Sequence, residues 1–110
     1  MKGNFTLFFG SDISSNNIHF NITNDPDNNI IIDGQDYKVN ITATGYIGLV
    51  ASASNNTIVK RVGVKAAADV NLAANQGWVG SERFQGTIEY CYSEGVIGNQ
   101  TLYGCGGIVG

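Results

Sequence analysis

The sequence predicts an all-β fold, and within that class a β-solenoid, from three observations. Glycine occurs 15 times and proline once, so glycine and asparagine rather than proline supply the turns between strands. Apolar residues alternate with polar ones over runs that are short for helices. Similar segments also recur at intervals near 30 residues. Together these features indicate short strands stacked in about three to four coils, each coil lying about 4.8 Å above the previous one.

Three runs in the first half of the chain have strand patterns. Residues 17–22 alternate, with isoleucine and phenylalanine on one side and histidine and asparagine on the other. Residues 30–32 are consecutive isoleucines that end at an Asp-Gly turn, as in a buried strand, and residues 37–41 alternate again. The alanine-rich residues 65–75 are the best helical candidate, for about one or two turns, in a chain that otherwise predicts no helix.

An internal repeat organises the second half of the chain. Residues 48–51 resemble residues 77–80, which lie 29 positions later, and residues 107–110, which lie a further 30 positions on. Residues 59–62 align with residues 88–91 at the same offset of 29. Stacked coils place equivalent apolar residues over one another in a shared core. The expected core ladder consists of Leu49, Val50, Val62, Trp78, Val79, Ile88, Cys91, Ile108 and Val109.

The segment from Gly86 to Val96, together with residues 106–110, resembles the GLUG repeat of bacterial and viral surface proteins. That repeat has the form G-x-I-x-N-C-Y-S-x-G-x-V followed by G-G-L-V-G. Here Tyr90 replaces the motif asparagine, and Ala51 replaces the closing glycine of an earlier unit. Upstream, the segment IIIDGQDY over residues 30–37 looks like the family's I-x-I-D-G-x-G-Y segment.

This resemblance implies a right-handed parallel β-helix on an extracellular, cell or particle surface, and it carries no catalytic residues to transfer. We expect a single domain over residues 1–110. Within it, residues 1–44 form irregular first coils and residues 45–110 form the GLUG-like repeats.

Charge and hydropathy exclude several classes of partner. The chain has a formal net charge of −3 and only six lysines and arginines, which are scattered, whereas nucleic-acid and anionic-membrane binding need clustered cations. No run approaches the roughly 20 apolar residues that span a bilayer, so we expect no membrane insertion. We assign residues 1–10 to the fold rather than to a leader; either the chain is not secreted by a classical route, or it is seen here without its leader.

The two cysteines, Cys91 and Cys105, are too few for a disulfide framework or a zinc site without histidine partners. Buried free thiols are the leading interpretation, and a disulfide between them is the alternative. We expect no cofactor and no bound metal.

No catalytic constellation is predicted. His19 lies on the polar side of a strand with no nucleophile near it in sequence, which is typical of a surface histidine. Carbohydrate-cleaving β-helices cluster carboxylates on one outer face, and the candidates here are Asp25, Asp27, Asp33 and Asp36. Residues 25–29 begin like a calcium loop, but turn formation explains them more simply. We therefore expect that the chain is not an enzyme.

Two tyrosines are candidates for contacts with a partner. Tyr90 and Tyr92 flank Cys91, so they lie outside the coil if the cysteine lies inside. Outward tyrosines can stack on glycans or form an interface. The alternative is an aromatic ladder that supports the coil.

The ends of the sequence look uncapped, because the chain begins on Phe5, Leu7 and Phe9 and stops on Gly107, Ile108 and Val109. Open strand edges are normally covered, so we expect either a piece of a longer solenoid or a subunit completed by its neighbour. The leading hypothesis is a non-enzymatic structural subunit that stacks on itself head-to-tail into a filament. The alternatives are part of a glycan-binding adhesin or viral surface protein and, more weakly, a polysaccharide lyase or hydrolase.

Overall fold

The computed structural model describes residues 3–15, 18–22, 29–67, 70–73, 76–95 and 108–109. These residues form short strands and no helix, which confirms the all-β prediction. The strands are β1 (Asn4–Phe8), β2 (Ile13–Ser15), β3 (Phe20–Ile22), β4 (Asn29–Asp33), β5 (Lys38–Ile41), β6 (Val50–Ser52), β7 (Ile58–Lys60), β8 (Gly63–Ala66), β9 (Thr87–Glu89) and β10 (Tyr92–Glu94).

The helical candidate over residues 65–75 is not helical where the structure describes it. Lys65 and Ala66 belong to β8, and Leu72 makes a parallel bridge to Tyr46. Here sheet pairing overrides the helix propensity of alanine. Within the described part of the chain, no helix has the length and hydropathy needed to cross a membrane.

All strand pairings are parallel and fall into three sheets. The first sheet has the order β1-β4-β7-β9, the second has the order β2-β5-β8-β10, and the third pairs β3 with β6. Single bridges extend the third sheet from Val50 to Gly80 and from Gly80 to Val109. The chain therefore visits the three sheets in the same order again and again. Parallel neighbours separated by crossover segments are compatible with the predicted β-solenoid.

The pairing register agrees in most places with the offsets seen in the sequence. Val59 pairs with Ile88 and Gly63 pairs with Tyr92, both 29 positions apart. In the third sheet the sequence offset of 29 predicts Val79 as the partner of Val50. The structure instead places Gly80, the next residue, opposite Val50. The Val50 amide donates to the Val79 carbonyl at 2.8 Å. In a parallel ladder such a bond places the donor opposite the residue after the acceptor, which accounts for the shift.

The core lies between the sheets and is built from alternate strand residues. In β5, Val39 and Ile41 are fully buried while Lys38 and Asn40 are half-buried. An apolar ladder crosses the first sheet, where Leu7, Ile32, Val59 and Ile88 are in register. Its two middle members are fully buried and its two end members half-buried, because an end strand has a neighbour on one side only.

The expected core positions differ in burial along this stack. Buried members are Leu49, Val50, Val62, Trp78 and Val79. Half-buried members that pack against the core are Ile88, Cys91 and Ile108. Val109 is 38% exposed, because it lies at the last position of the third sheet and no further strand of the described chain covers it.

Trp78 is the largest of the fully buried side chains. Its ring stacks on Tyr46 at 6.0 Å between centroids, and Gly95 makes room for it, since a Cβ there would lie 2.7 Å from Trp78 Cζ2. The Tyr46 hydroxyl donates to the Ile18 carbonyl at 2.5 Å, and burial raises the pKa of Tyr46. The Trp78 Nε1–H group is buried without a partner among the described residues.

Candidate functional site

The sheets end in two opposite edges, which we call the first face and the second face. The first face is the outer edge of β1, β2 and β3, and the second face is the outer edge of β9, β10 and the Val109 bridge. Each end strand is paired on one side only within the described residues. Because all pairings are parallel, the first face presents the hydrogen-bonding groups that would continue the second face.

The predicted subunit ends lie at these two faces. Phe5 is 38% exposed and Leu7 half-buried at the first face, while Phe9 behind them is buried. Ile108 is half-buried and Val109 exposed at the second face. Gly107 lies outside the described residues. Both faces therefore combine incompletely covered apolar side chains with open backbone edges.

The two candidate tyrosines occupy different environments. Tyr90 is 83% exposed at the corner between β9 and β10, where its φ of 53° is left-handed. Tyr92 is 47% exposed, and its ring lies over Gly63 of the neighbouring strand, at the place where a Cβ of residue 63 would lie. Tyr92 therefore covers a glycine in the sheet, whereas Tyr90 makes little contact.

Cys91 lies between these tyrosines as a half-buried free thiol. Its Sγ donates to the carbonyl of Glu89 at 3.3 Å and lies 3.6 Å from that of Val59. Burial raises the pKa of this thiol, so the neutral form is favoured. Cys105, its alternative disulfide partner, lies outside the described residues.

Of the four candidate catalytic carboxylates, the structure describes Asp33 and Asp36. Asp33 is buried and accepts two bonds from Arg61, at 3.0 Å from Nε and 2.6 Å from Nη2, as well as one from the Gln35 amide. The Arg61 guanidinium holds the pKa of Asp33 below its ordinary value. Asp36 is exposed in the following turn. Asp25 and Asp27 lie outside the described residues, and the described residues contain no group of three or more His, Cys, Asp or Glu suited to a metal.

A groove lined by both polar and apolar side chains lies on the outer side of the third sheet. It consists of two cavities of about 280 and 320 Å³ that both include Ala51 and Glu82. The first cavity also includes His19 and Gln76, and the second includes Arg83. The groove exists because residues 81–85 leave the sheet as a loop. At the start of this loop the Ser81 amide donates to the Val50 carbonyl, and at its end the Gln85 amide donates to the Ser52 carbonyl.

The alternation of residues 17–22 predicts His19 at the surface, and no sequence motif points to the other groove residues as a site. The structure places His19 half-buried, with Nδ1 2.7 Å from the Gly48 carbonyl. One sequence signal of the groove is the polar segment Ser81-Glu82-Arg83, which follows the glycine-bounded apolar run of residues 77–80. A strand that continued from this run would be apolar, so the polar segment indicates a loop. No family model, curated protein or solved structure matches this chain significantly.

Proposed function

We propose that this chain is a non-enzymatic structural subunit, a right-handed parallel β-solenoid of about four coils that stacks head-to-tail into a filament. The observation that carries the proposal is the complementarity of the first and second faces, which offer parallel open edges of the same three sheets. A contact between two unlike faces does not close on itself, so repeated stacking produces an open filament.

The proposed contact extends the existing ladders from one copy into the next. In the first sheet the apolar ladder ends on Leu7 at one face and on Ile88 at the other. Continuing it brings Leu7 of one copy over Ile88 of the next copy and covers both half-buried side chains. On the outer side of the same sheet, Thr6 then follows Thr87.

The free energy of stacking has two sources. Each added backbone hydrogen bond contributes about 0.5–1.5 kcal/mol net. Covering partly exposed apolar side chains such as Phe5, Leu7 and Val109 adds about 25 cal/mol per Å² of apolar surface. The resemblance to GLUG repeats supports a place for such a filament outside a cell or on a particle surface.

Intermolecular disulfide trapping tests this contact. Thr6 and Thr87 are both exposed and lie at opposite edges of the first sheet. Three strand spacings, about 14 Å, separate them within one copy, which is too far for a disulfide. In the proposed stack they are in-register neighbours between copies, at about 4.8 Å. A disulfide between cysteines introduced at these two positions therefore reports stacking alone.

We expect the Thr6→Cys, Thr87→Cys double variant to form oxidised dimers and higher multimers, with the linkage between positions 6 and 87 identified by mass spectrometry. The matched control is Thr6→Cys with Glu94→Cys, because β10 belongs to the second sheet and Glu94 does not face Thr6 across the junction. Equal cross-linking of the two pairs, or an absence of linkages between positions 6 and 87 at high protein concentration, contradicts the proposed stacking.

A further inference from the structure

The groove on the third sheet includes residues of β3, whose outer edge belongs to the first face, and residues of the loop 81–85. Its floor includes Ala51 on the outer side of β6, and Glu82 contributes to both of its cavities. The two cavities have volumes of about 280 and 320 Å³, each near the lower end of the roughly 300–1,000 Å³ typical of ligand sites. The stacking faces are edges of the sheets, whereas the groove opens on an outer side of the third sheet.

Hydrogen bonds hold the groove in shape. The Ser81 hydroxyl donates to the Ile47 carbonyl at 2.5 Å, which ties the loop to the segment before β6. The Glu82 amide donates to Gln76 Oε1 at 2.8 Å, so the carboxamide of Gln76 is oriented and its NH₂ group remains a donor. These bonds fix the wall of the groove before any ligand arrives, which lowers the entropic cost of binding.

His19 is also held in one orientation. A carbonyl oxygen can only accept, so the contact between Nδ1 and the Gly48 carbonyl makes Nδ1 the protonated nitrogen. Nε2 of the neutral ring is then an acceptor. The first cavity thus combines an imidazole acceptor, a carboxamide donor and the Glu82 carboxylate around an apolar floor.

The charges of the lining balance. Glu82 and Arg83 are its charged residues of opposite sign, and they form only a loose pair, with Arg83 Nε 3.8 Å from Glu82 Oε1. A polyanion needs an excess of cations, which this lining lacks. Planar side chains such as glutamine, glutamate and arginine offer pairs of adjacent hydrogen-bonding atoms, and these suit a ligand rich in hydroxyl groups.

We propose that this groove binds a neutral saccharide. Gln76, Glu82 and His19 bind hydroxyl groups in the first cavity, and the second cavity accommodates the adjoining sugar. This assignment differs from the glycan contact expected at Tyr90 and Tyr92, because those two side chains lie around the corner between the first and second sheets.

Titration with defined oligosaccharides tests the proposal. The probes are the hexamers of β-1,4-glucose, α-1,4-glucose, β-1,4-mannose and β-1,4-xylose, with hexagalacturonate as the acidic comparison. We expect at least one neutral hexamer to bind and to shift the amide NMR signals of residues 76–85 and of His19. Gln76→Ala and Glu82→Ala each weaken that binding at least tenfold, while Glu94→Ala on the second sheet leaves it unchanged.

Three outcomes overturn the proposal. They are the absence of binding by every neutral hexamer, tighter binding of hexagalacturonate, and shifts that map to Tyr90 and Tyr92 instead of the groove. Amide spectra that retain the wild-type dispersion outside the loop establish that Gln76→Ala and Glu82→Ala remain folded, so that a loss of binding reports the site.

Discussion

At the scale of single residues, Asp33 and Arg61 form an ion pair with two hydrogen bonds. The carboxylate is buried, and its two bonds from the guanidinium lower its pKa. The ionised form therefore stabilises the folded chain. This contribution is complete above the pKa of an aspartate in the unfolded chain, about 3.9, and is lost as the pH falls through the lower folded value.

We expect Asp33→Asn to lower the free energy of unfolding at pH 7. The difference in this free energy from wild type should shrink progressively below about pH 4. Urea unfolding of the two proteins at several pH values between 7 and 2 measures the difference. Asp36→Asn in the exposed turn that follows β4 is the matched control and should change stability little. Parallel pH profiles for wild type and Asp33→Asn contradict the assigned role of the ion pair.

Tyr90 occupies a backbone conformation that suits asparagine better than tyrosine. Its φ is 53° and its side chain is largely exposed, and a left-handed residue with a Cβ carries a cost of about 1–2 kcal/mol. Because asparagine tolerates this region, we expect Tyr90→Asn to stabilise the chain by about 0.5–1 kcal/mol. In urea unfolding, Tyr92→Asn should destabilise it instead by uncovering Gly63. An unchanged or lower stability of Tyr90→Asn contradicts this explanation.

At the scale of elements, close packing between successive corners depends on Gly34. A Cβ there would lie 2.6 Å from the Cβ of Val62 in the next corner. We expect Gly34→Ala to destabilise the chain by about 1–3 kcal/mol through overpacking. Gly10→Ala, whose Cβ would meet nothing within 4 Å, is the control and should be neutral or slightly stabilising. Equal thermal stabilities of the two variants contradict close corner packing.

Strands with a clear two-residue alternation could be predicted from the sequence. Residues 37–41, which include β5, alternate in this way, whereas the three consecutive isoleucines of β4 predict a buried strand by their apolar run. The 29-residue offset predicts the pairing of Val59 with Ile88. The register at Val50 could not be predicted, because Val79 and Gly80 are both plausible neighbours and a backbone bond decides between them. The groove could not be predicted because its residues are distant in sequence. The pairing of β3 with β6, together with the bridge from Val50 to Gly80, brings His19 near Glu82.

At the scale of the whole molecule, net charge opposes stacking. Every copy carries a formal charge of −3, and Glu89 and Glu94 lie in the strands of the second face. Added salt screens this repulsion and leaves backbone pairing and apolar burial in place. In sedimentation velocity we expect larger assemblies at about 300 mM salt than at about 20 mM.

Glu94→Gln should reduce that salt dependence, whereas Glu82→Gln in the groove should leave it as in wild type. Assemblies that dissociate as salt rises contradict a junction made of backbone and apolar contacts, since such behaviour is typical of opposite charges in contact.

The helical rise of assembled chains, measured by electron cryo-microscopy, tests the central claim most directly. Four coils at about 4.8 Å each predict a rise of about 19 Å per subunit, with continuous parallel sheets running through every junction. A chain that remains a single 11.7 kDa species at millimolar concentration, or filaments whose junctions interrupt the three sheets, contradicts head-to-tail stacking.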